Sequence, residues 1–400
     1  MTTRDESSRL PTRIVLILAL CGGFGPFAVD AYMPGMVDIA NEFGVQASTA
    51  QLTLTGFLLA LGLGQLVLGP LSDQVGRRRI MLIGLTGATL ASILCAVAPT
   101  IWILITARIL QGAFGAAGVV LSKAIVADLA TGADMAKAFS LLMSVQSLAP
   151  IIAPIVGGIL VPGFGWRSVF WFLSVLGLIM LTCVAVFVGE SLPPQDRHTG
   201  GARRALGDMG ALLRSPEYVA AVVMFTVSFG VLFSYISASP FILQRMLGFS
   251  QVEYSVVFTI NSLAIFASNL VNARLVGRYA PLHVATRAAL MLMLGVVWML
   301  VAVLVLDLAT WAVLVGFFSL TACVGLLFPN ISALAVRAAG ARRGAGSAVL
   351  GAAQMTMAAG VAPLAGLGDG RSALPMVALM AVFAMCMAVA LPVLRRRSVG

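Results

Sequence analysis

Residues 69–79 read Gly69-Pro-Leu-Ser-Asp73-Gln-Val-Gly76-Arg77-Arg78-Arg79, a short polar break that ends in three successive arginines. The chain is apolar on both sides, near 50–71 and 80–98. About 20 apolar residues suffice for a helix to cross a hydrocarbon core of roughly 30 Å, so each flank is long enough. The break therefore reads as a turn between two membrane helices. Its arginines put that turn on the cytoplasmic side, where basic loops collect.

Working outward, the same alternation predicts further spans near 14–36, 101–122, 138–161, 167–188, 217–240, 254–275, 284–306, 309–331, 345–368 and 372–394, twelve in all. With the N-terminus inside, the inner segments hold Arg4, Arg9, Arg13, Arg77–Arg79, Lys123, Lys137, Arg197, Arg203, Arg204, Arg214, Arg274, Arg278, Arg287, Arg337, Arg342, Arg343 and Arg395–Arg397, which is 21 of the 25 basic residues. Only Arg167, Arg245 and Arg371 fall outside, and Arg108 lies within a span. A single miscounted span would invert every later loop and destroy this asymmetry. Both termini are expected in the cytoplasm. The longest polar stretch, 190–216, is expected to be a cytoplasmic linker between an N-terminal half (1–189) and a C-terminal half (217–400). The break at 69–79 has a faint echo at 270–279, LVNARLVGRY, where Gly277 and Arg278 align with Gly76 and Arg77. Parallel six-span repeats with a substrate site between them at mid-membrane are one established way to build a transporter.

Composition agrees. The chain of 400 residues is 60% hydrophobic and 10% charged, whereas soluble domains carry about 25% charged residues. The net charge of +10 is accounted for by membrane topology, and no basic face interleaved with aromatics argues for nucleic acid. Cys21, Cys95, Cys183, Cys323 and Cys386 stand singly in apolar stretches, without metal-site spacing. They read as small buried hydrophobes. Leu20 is too large to precede a lipoprotein cysteine, and the run from Ile14 is too long for a cleaved leader. No phosphate-binding loop of the GxxxxGK[ST] kind is present, so no ATP-driven step is expected of this chain. His198 and His283 lie in segments expected to be cytoplasmic. Asn330-Ile-Ser332 matches a glycosylation pattern but lies at an expected inner membrane edge. No cofactor and no metal are expected.

Ionisable groups inside spans are expensive and mark function. Asp30 lies 16 residues beyond Ile14, about 24 Å along its helix, and Arg108 lies seven residues beyond Ile101, about 10 Å from the opposite face. Both depths fall in the outer half of the membrane, so the two could share one cavity. Burial and a neighbouring guanidinium act in opposite senses on a carboxyl's proton affinity, and such a pair can be poised to take and release a proton. The alternatives are that Asp30 is a helix-end charge among headgroups and that Arg108 is an interhelical tie. Glu253 and Asp307 lie near outer ends and read as solvated. Lys123 and Asp128 lie at the inner end of the fourth span. Pro26 and Pro34 are expected to interrupt the first span. Pro150, Pro154, Gly157 and Gly158 are expected to bend the fifth and let it pack closely.

These residues resemble the major facilitator superfamily. Gly69 to Arg78 is similar to its hallmark loop between spans two and three. Arg108-Ile-Leu-Gln111-Gly112-Ala-Phe-Gly115 resembles its RxxQGxG motif. Ala153-Pro154-Ile-Val-Gly157-Gly158 resembles the GPxxGG motif of exporters, with Ala153 in place of the first Gly. Asp30-Ala-Tyr32-Met-Pro34 followed by Gln51-Leu-Thr53-Leu resembles the bicyclomycin/chloramphenicol resistance branch of drug–proton antiporters. The motif resemblance covers the N-terminal half. Topology and length alone extend it to the C-terminal half.

The resemblance implies an all-α fold of twelve helices in two pseudo-symmetric halves, without enzymatic activity, in the plasma membrane of a bacterium. It implies proton coupling by Asp30 and Arg108, and a conformational lock formed by Gly69, Asp73, Gly76, Arg77, Arg78 and Asp128 that holds the outward-open state. Ala127, where relatives often carry Arg, thins the charge network around Asp128, and Arg79 replaces a frequent Pro. Spans one, two, four, five, seven, eight, ten and eleven are expected to line a central cavity. Tyr32, Gln51, Met143, Gln146, Phe229, Phe233, Tyr235, Asn261, Asn269 and Asn330 are the candidate contacts. The expected partners are a small amphipathic drug or antibiotic, protons and the bilayer, with the chain acting as a monomer. A proton-coupled nutrient importer is the other transport reading, because only Pro154, Gly157 and Gly158 speak for export. A membrane sensor would need a larger polar domain than 190–216. A membrane enzyme would need a His, Glu or Cys cluster that the sequence does not contain.

Overall fold

The computed structural model of the chain describes residues 11–197, 201–367 and 370–398; Arg4, Arg9 and His198 lie outside them. Among the described residues, twelve helical segments are long and apolar enough to cross a membrane. Most of their ends match the sequence expectation within about one helical turn. The first span is α1 (Thr12–Asp30), a 3-10 turn at Met33–Gly35 and α2 (Met36–Glu42). The next five are α3 (Ala47–Val75), α4 (Arg77–Ala96), α5 (Ile101–Leu129), α6 (Gly132–Phe164) and α7 (Arg167–Phe187). After α8 (Gly201–Leu212) come α9 (Pro216–Pro240), which runs on through a π-helical turn at Phe241–Met246, then α10 (Gln251–Leu275), α11 (Pro281–Leu304), α12 (Thr310–Ala339), α13 (Arg343–Ala365) and α14 (Leu374–Ser398).

Local chemistry fixes several of these ends. The hydroxyl of Ser215 caps α9 just before Pro216, whose missing N–H costs nothing at a helix start. Ser250 and Glu253 form a reciprocal capping box on α10. Between α3 and α4 the chain reverses at Gly76, whose φ of +113° only glycine adopts easily.

One expectation changes. Pro26 lies inside α1 without interrupting it, and the break comes later, from Ala31 to Gly35 around Pro34. The fifth span runs unbroken through Pro150, Pro154 and Pro162. The linker is also not featureless, because α8 lies in it and packs on α3 and α13. Asp208 of α8 accepts a hydrogen bond from Arg342 at 3.1 Å.

Helix pairing repeats from one half to the other. Within the first half α1 packs on α5 and α6, α3 on α5, and α4 on α5 and α7. Within the second half α9 packs on α12 and α13, α10 on α12, and α11 on α12 and α14. Each pairing is its counterpart shifted by six spans. The halves meet through α3 against α13 and α6 against α10, which are themselves equivalent seams. This is the twelve-helix, two-half architecture read from the sequence.

Up-and-down topology places the two ends of the described chain and α8 at one end of the bundle, called here the termini end. The hydrogen bonds that join the halves gather toward the other, far end. Gln51 donates to the Ser237 carbonyl at 2.7 Å and Thr55 to that of Ala359 at 2.9 Å. Gln244 donates to the Pro34 carbonyl at 3.1 Å and Gln251 to Asp38 at 2.7 Å.

Candidate transport site

Asp30 is the last residue of α1, at the point where the first span breaks. It is buried, with 7% of its surface exposed. Among the described residues its carboxyl makes no hydrogen bond and no ion pair. It lies within electrostatic reach of Tyr235 and Tyr254, both on the second half. Those hydroxyls are themselves engaged: Asn261 donates to Tyr235 at 2.9 Å, and Tyr254 shares a 3.3 Å hydrogen bond with Ser239. Asp30 thus faces the partner half from beneath the far-end seal. Seven residues earlier on the same face of α1, Gly23 is buried, yet a Cβ there would meet nothing within 4 Å. Space for a side chain is therefore left beside Gly23, about 10 Å along α1 from Asp30.

Arg108 is fully buried but belongs to another environment. Its Nη1 donates to the Ala28 carbonyl at 3.2 Å and to Gln111 Oε1 at 2.6 Å. Gln111 in turn donates to Ser92 on α4 at 2.7 Å. The guanidinium lies 4.4 Å from the ring centre of Tyr32, 4.2 Å from Phe57 and 5.7 Å from Phe170. Ring faces attract a desolvated cation by up to about 2 kcal/mol. They stand in for the carboxylate that was expected. Nε and Nη2 find no hydrogen-bond partner among the described residues. The expected Asp30–Arg108 ion pair is absent, and helix geometry gives the reason. Arg108 grips α1 at Ala28, and a residue two positions on projects from the other side of a helix.

The cavity candidates separate accordingly. Tyr32 is fully buried in the Arg108 cage, its hydroxyl 3.2 Å from Thr53. Gln51 is fully buried in the far-end seal. Asn330 donates to Asn272 at 2.6 Å and ties α12 to α10. At 4% exposure it is closed to a glycosylating enzyme as well. Asn269 is exposed, and Met143 is 43% exposed. Phe229 stacks on Phe233 at 5.7 Å and lies 5.8 Å from Phe328, and Tyr235 lies 4.6 Å from Phe317. With Asn261 they form an aromatic wall of the second half. Gln146 packs on α1 beside Gly22.

The two glycines of the fifth span act through proximity. A Cβ at Gly157 would lie 2.0 Å from the Ala31 carbonyl oxygen, and one at Gly158 would lie 2.5 Å from Ser255 Oγ. Their smallness lets α6 press on the break after Asp30 and on α10 of the other half. That is a packing role within a helix that continues through Pro154.

At the termini end the hallmark loop is held by its own half. Arg77 pairs with Asp73 and, at 3.0 Å, with Asp128. It also donates to Ser72 at 2.6 Å. Arg78 donates to the carbonyls of Val188 and Ala185 at 2.8 and 2.7 Å. Asp73 remains 43% exposed. The sequence reading missed Glu190 and Ser191, which accept from the Arg77 amide at 2.9 Å and donate to Asp128 at 2.9 Å respectively. Their position directly after the sixth span was the available signal. It also missed Asp38 and Gln251, whose pairing is visible only in three dimensions.

The profile described as Major Facilitator Superfamily matches residues 18–363. The MFS-type transporter YdgK of Bacillus subtilis is 33% identical over 97% of this chain and 96% of its own. A bicyclomycin resistance protein homolog of Haemophilus influenzae is 28% identical over 76% of each chain. The crystal structure of a D-xylose-proton symporter superposes with a TM-score of 0.73 at 16% identity, covering 95% of this chain and 97% of that one.

Proposed function

The chain belongs to the Major Facilitator Superfamily and is a multi-pass membrane transporter with drug-resistance relatives, and from that premise we propose that it exports small amphipathic drugs in exchange for protons. The observation that carries this reading is Asp30, a carboxyl buried at the break in the first span with no hydrogen-bond or ion-pair partner among the described residues. The cargo enters from the termini end, which the arginine distribution assigns to the cytoplasm of a bacterial cell, and reaches the space along α1. A proton arriving at Asp30 from the far side neutralises it and releases the cargo. Loss of that proton to the cytoplasm resets the site. Each inward charge gains ~2.3 kcal/mol per 100 mV, enough to drive export against a gradient.

Alternating access supplies the two exposures. Contacts at the far end correspond to the state open to the termini end. Closing that end would bring Asp73 toward the second half and open the far seal. Asp73, 43% exposed, is held among the described residues by Arg77 alone, so it can exchange partners. Arg108 holds α1 at Ala28, so the break carrying Asp30 moves with the first half. The working unit in this scheme is a monomer.

The test is efflux from proteoliposomes under an imposed pH gradient. Asp30→Asn is expected to abolish gradient-driven chloramphenicol movement while equilibrium exchange across the membrane persists. Gradient-driven transport at the wild-type rate in that variant would remove Asp30 from coupling. Accumulation with the proton flux, in place of counterflow, would make the chain an importer.

A further inference from the structure

Below Asp30, toward the termini end, two polar side chains meet α1 at one point. A Cβ at Gly22 would lie 2.0 Å from Gln146 Nε2 and 2.8 Å from Ser122 Oγ. Two polar side chains from two further helices, α5 and α6, thus converge where α1 has no side chain. Ser122 is fully buried, and its hydroxyl reaches only the Val119 carbonyl of its own helix, at 3.3 Å. Gln146 Nε2 is buried without a partner among the described residues. The next residue, Gly23, borders the open space. The second half carries a cluster of three rings, Phe229, Phe233 and Phe328.

A buried amide nitrogen without an acceptor has lost its hydrogen bond to water and gained none in return. The cost disappears when a ligand supplies the acceptor. From Gly22 to Asp30 the helix rises about 12 Å, the length of a small two-ring molecule. The polar cluster at Gly22 and the Asp30 carboxyl thus lie about 12 Å apart on one helix, with the open space at Gly23 next to the cluster. Discrimination by such a cluster is steep, because a cargo without the matching group leaves the cluster unsatisfied.

We propose that Gly22, Ser122 and Gln146 form a recognition notch for a neutral hydrogen-bonding group, an amide, hydroxyl or carbonyl, so that the cargo is an uncharged polar-ended amphiphile rather than a bare lipophilic cation. This rests on the export reading and narrows its substrate. Gly22 takes part by being absent as a side chain: any larger residue evicts the Gln146 amide.

The experiment measures binding and gradient-driven efflux of two probes by the full chain in proteoliposomes. Chloramphenicol carries an amide and hydroxyls. Tetraphenylphosphonium carries charge and rings but no hydrogen-bonding group. Gln146→Leu keeps the volume and removes the amide. It is expected to weaken chloramphenicol binding about 5- to 10-fold, the weight of one hydrogen bond, and to leave tetraphenylphosphonium unchanged. Ser122→Ala, which removes a single atom, is expected to shift the same ratio in the same direction and stands in should Gln146→Leu not fold. Equal losses for both probes, no loss for either, or a wild type that binds the phosphonium and not chloramphenicol overturns the notch. A wild type that binds chloramphenicol but moves it under no proton gradient keeps the notch and overturns the export reading instead.

Discussion

Arg108 and Asp30 show how two charges can share one helix neighbourhood and still do different work. Arg108 is paid in ring faces and two acceptors, all drawn from the first half. Lysine carries the same charge without the planar fork, so it cannot serve Ala28 and Gln111 while lying flat on two rings. Arg108→Lys is expected to slow efflux at least about tenfold with folding retained, as measured by initial rates and by the elution profile in detergent. At Gly157 the distance leaves no room for even a methyl group, since its Cβ would lie 2.0 Å from a main-chain oxygen. Gly157→Ala is expected to lower the melting temperature and the transport rate together, because α6 must withdraw from the break after Asp30. An unchanged melting curve would show that the approach is not tight. The sequence marked Asp30 and Arg108 because charges in spans are rare, but it could not tell which face of α1 each would meet. Tyr32, Phe57 and Phe170 come from three different spans, and no local pattern joins them.

Elements were the most legible level. Spans are written in composition, and the twelve fell where the apolar runs lay, because a bilayer filters on length and polarity alone. The breaks were harder to read. Proline at positions 26, 150, 154 and 162 sits within continuous helices, since neighbouring membrane helices can compensate the lost hydrogen bond. The stretches around Pro34 and after Pro240 are the ones that depart from the α-helix within the described spans. The α8 helix was hidden by its polar, glycine-bearing sequence, and its partners α3 and α13 lie far from it in the chain. The α3–α4 reversal gives a test at this level. Gly76→Ala forces a side chain into φ +113° and within 2.5 Å of Glu190 Oε2. It is expected to cost about 1–3 kcal/mol, read as a lowered melting temperature, with the Arg77 network disturbed. Glu190→Gln keeps an acceptor for the Arg77 amide, and it should shift the melting temperature far less.

The whole molecule is two six-helix bodies that touch along two equivalent seams. Its far-end contacts join residues as distant as Gln51 and Ser237 or Asp38 and Gln251, which explains why a sequence reading could place the halves and yet not the seal. If export needs that seal to open, fixing it must stop transport. In a chain freed of its native cysteines, Asp38→Cys with Gln251→Cys, joined by a short bifunctional thiol reagent, is expected to lose efflux completely. The single variants treated in the same way should keep it. Efflux that survives crosslinking would mean that the halves do not separate there.

Because the number of crossings in each half is even, the beginning of α1, the end of α14 and the segment around α8 all emerge on one side of the bundle. The order in which the halves are synthesised is then not dictated by their geometry. A circularly permuted chain, starting at Pro216 and carrying a flexible bridge from Ser398 to Thr12, would bring the same helices to the same neighbours. Its seams would be unaltered, and only the covalent tether would have changed place.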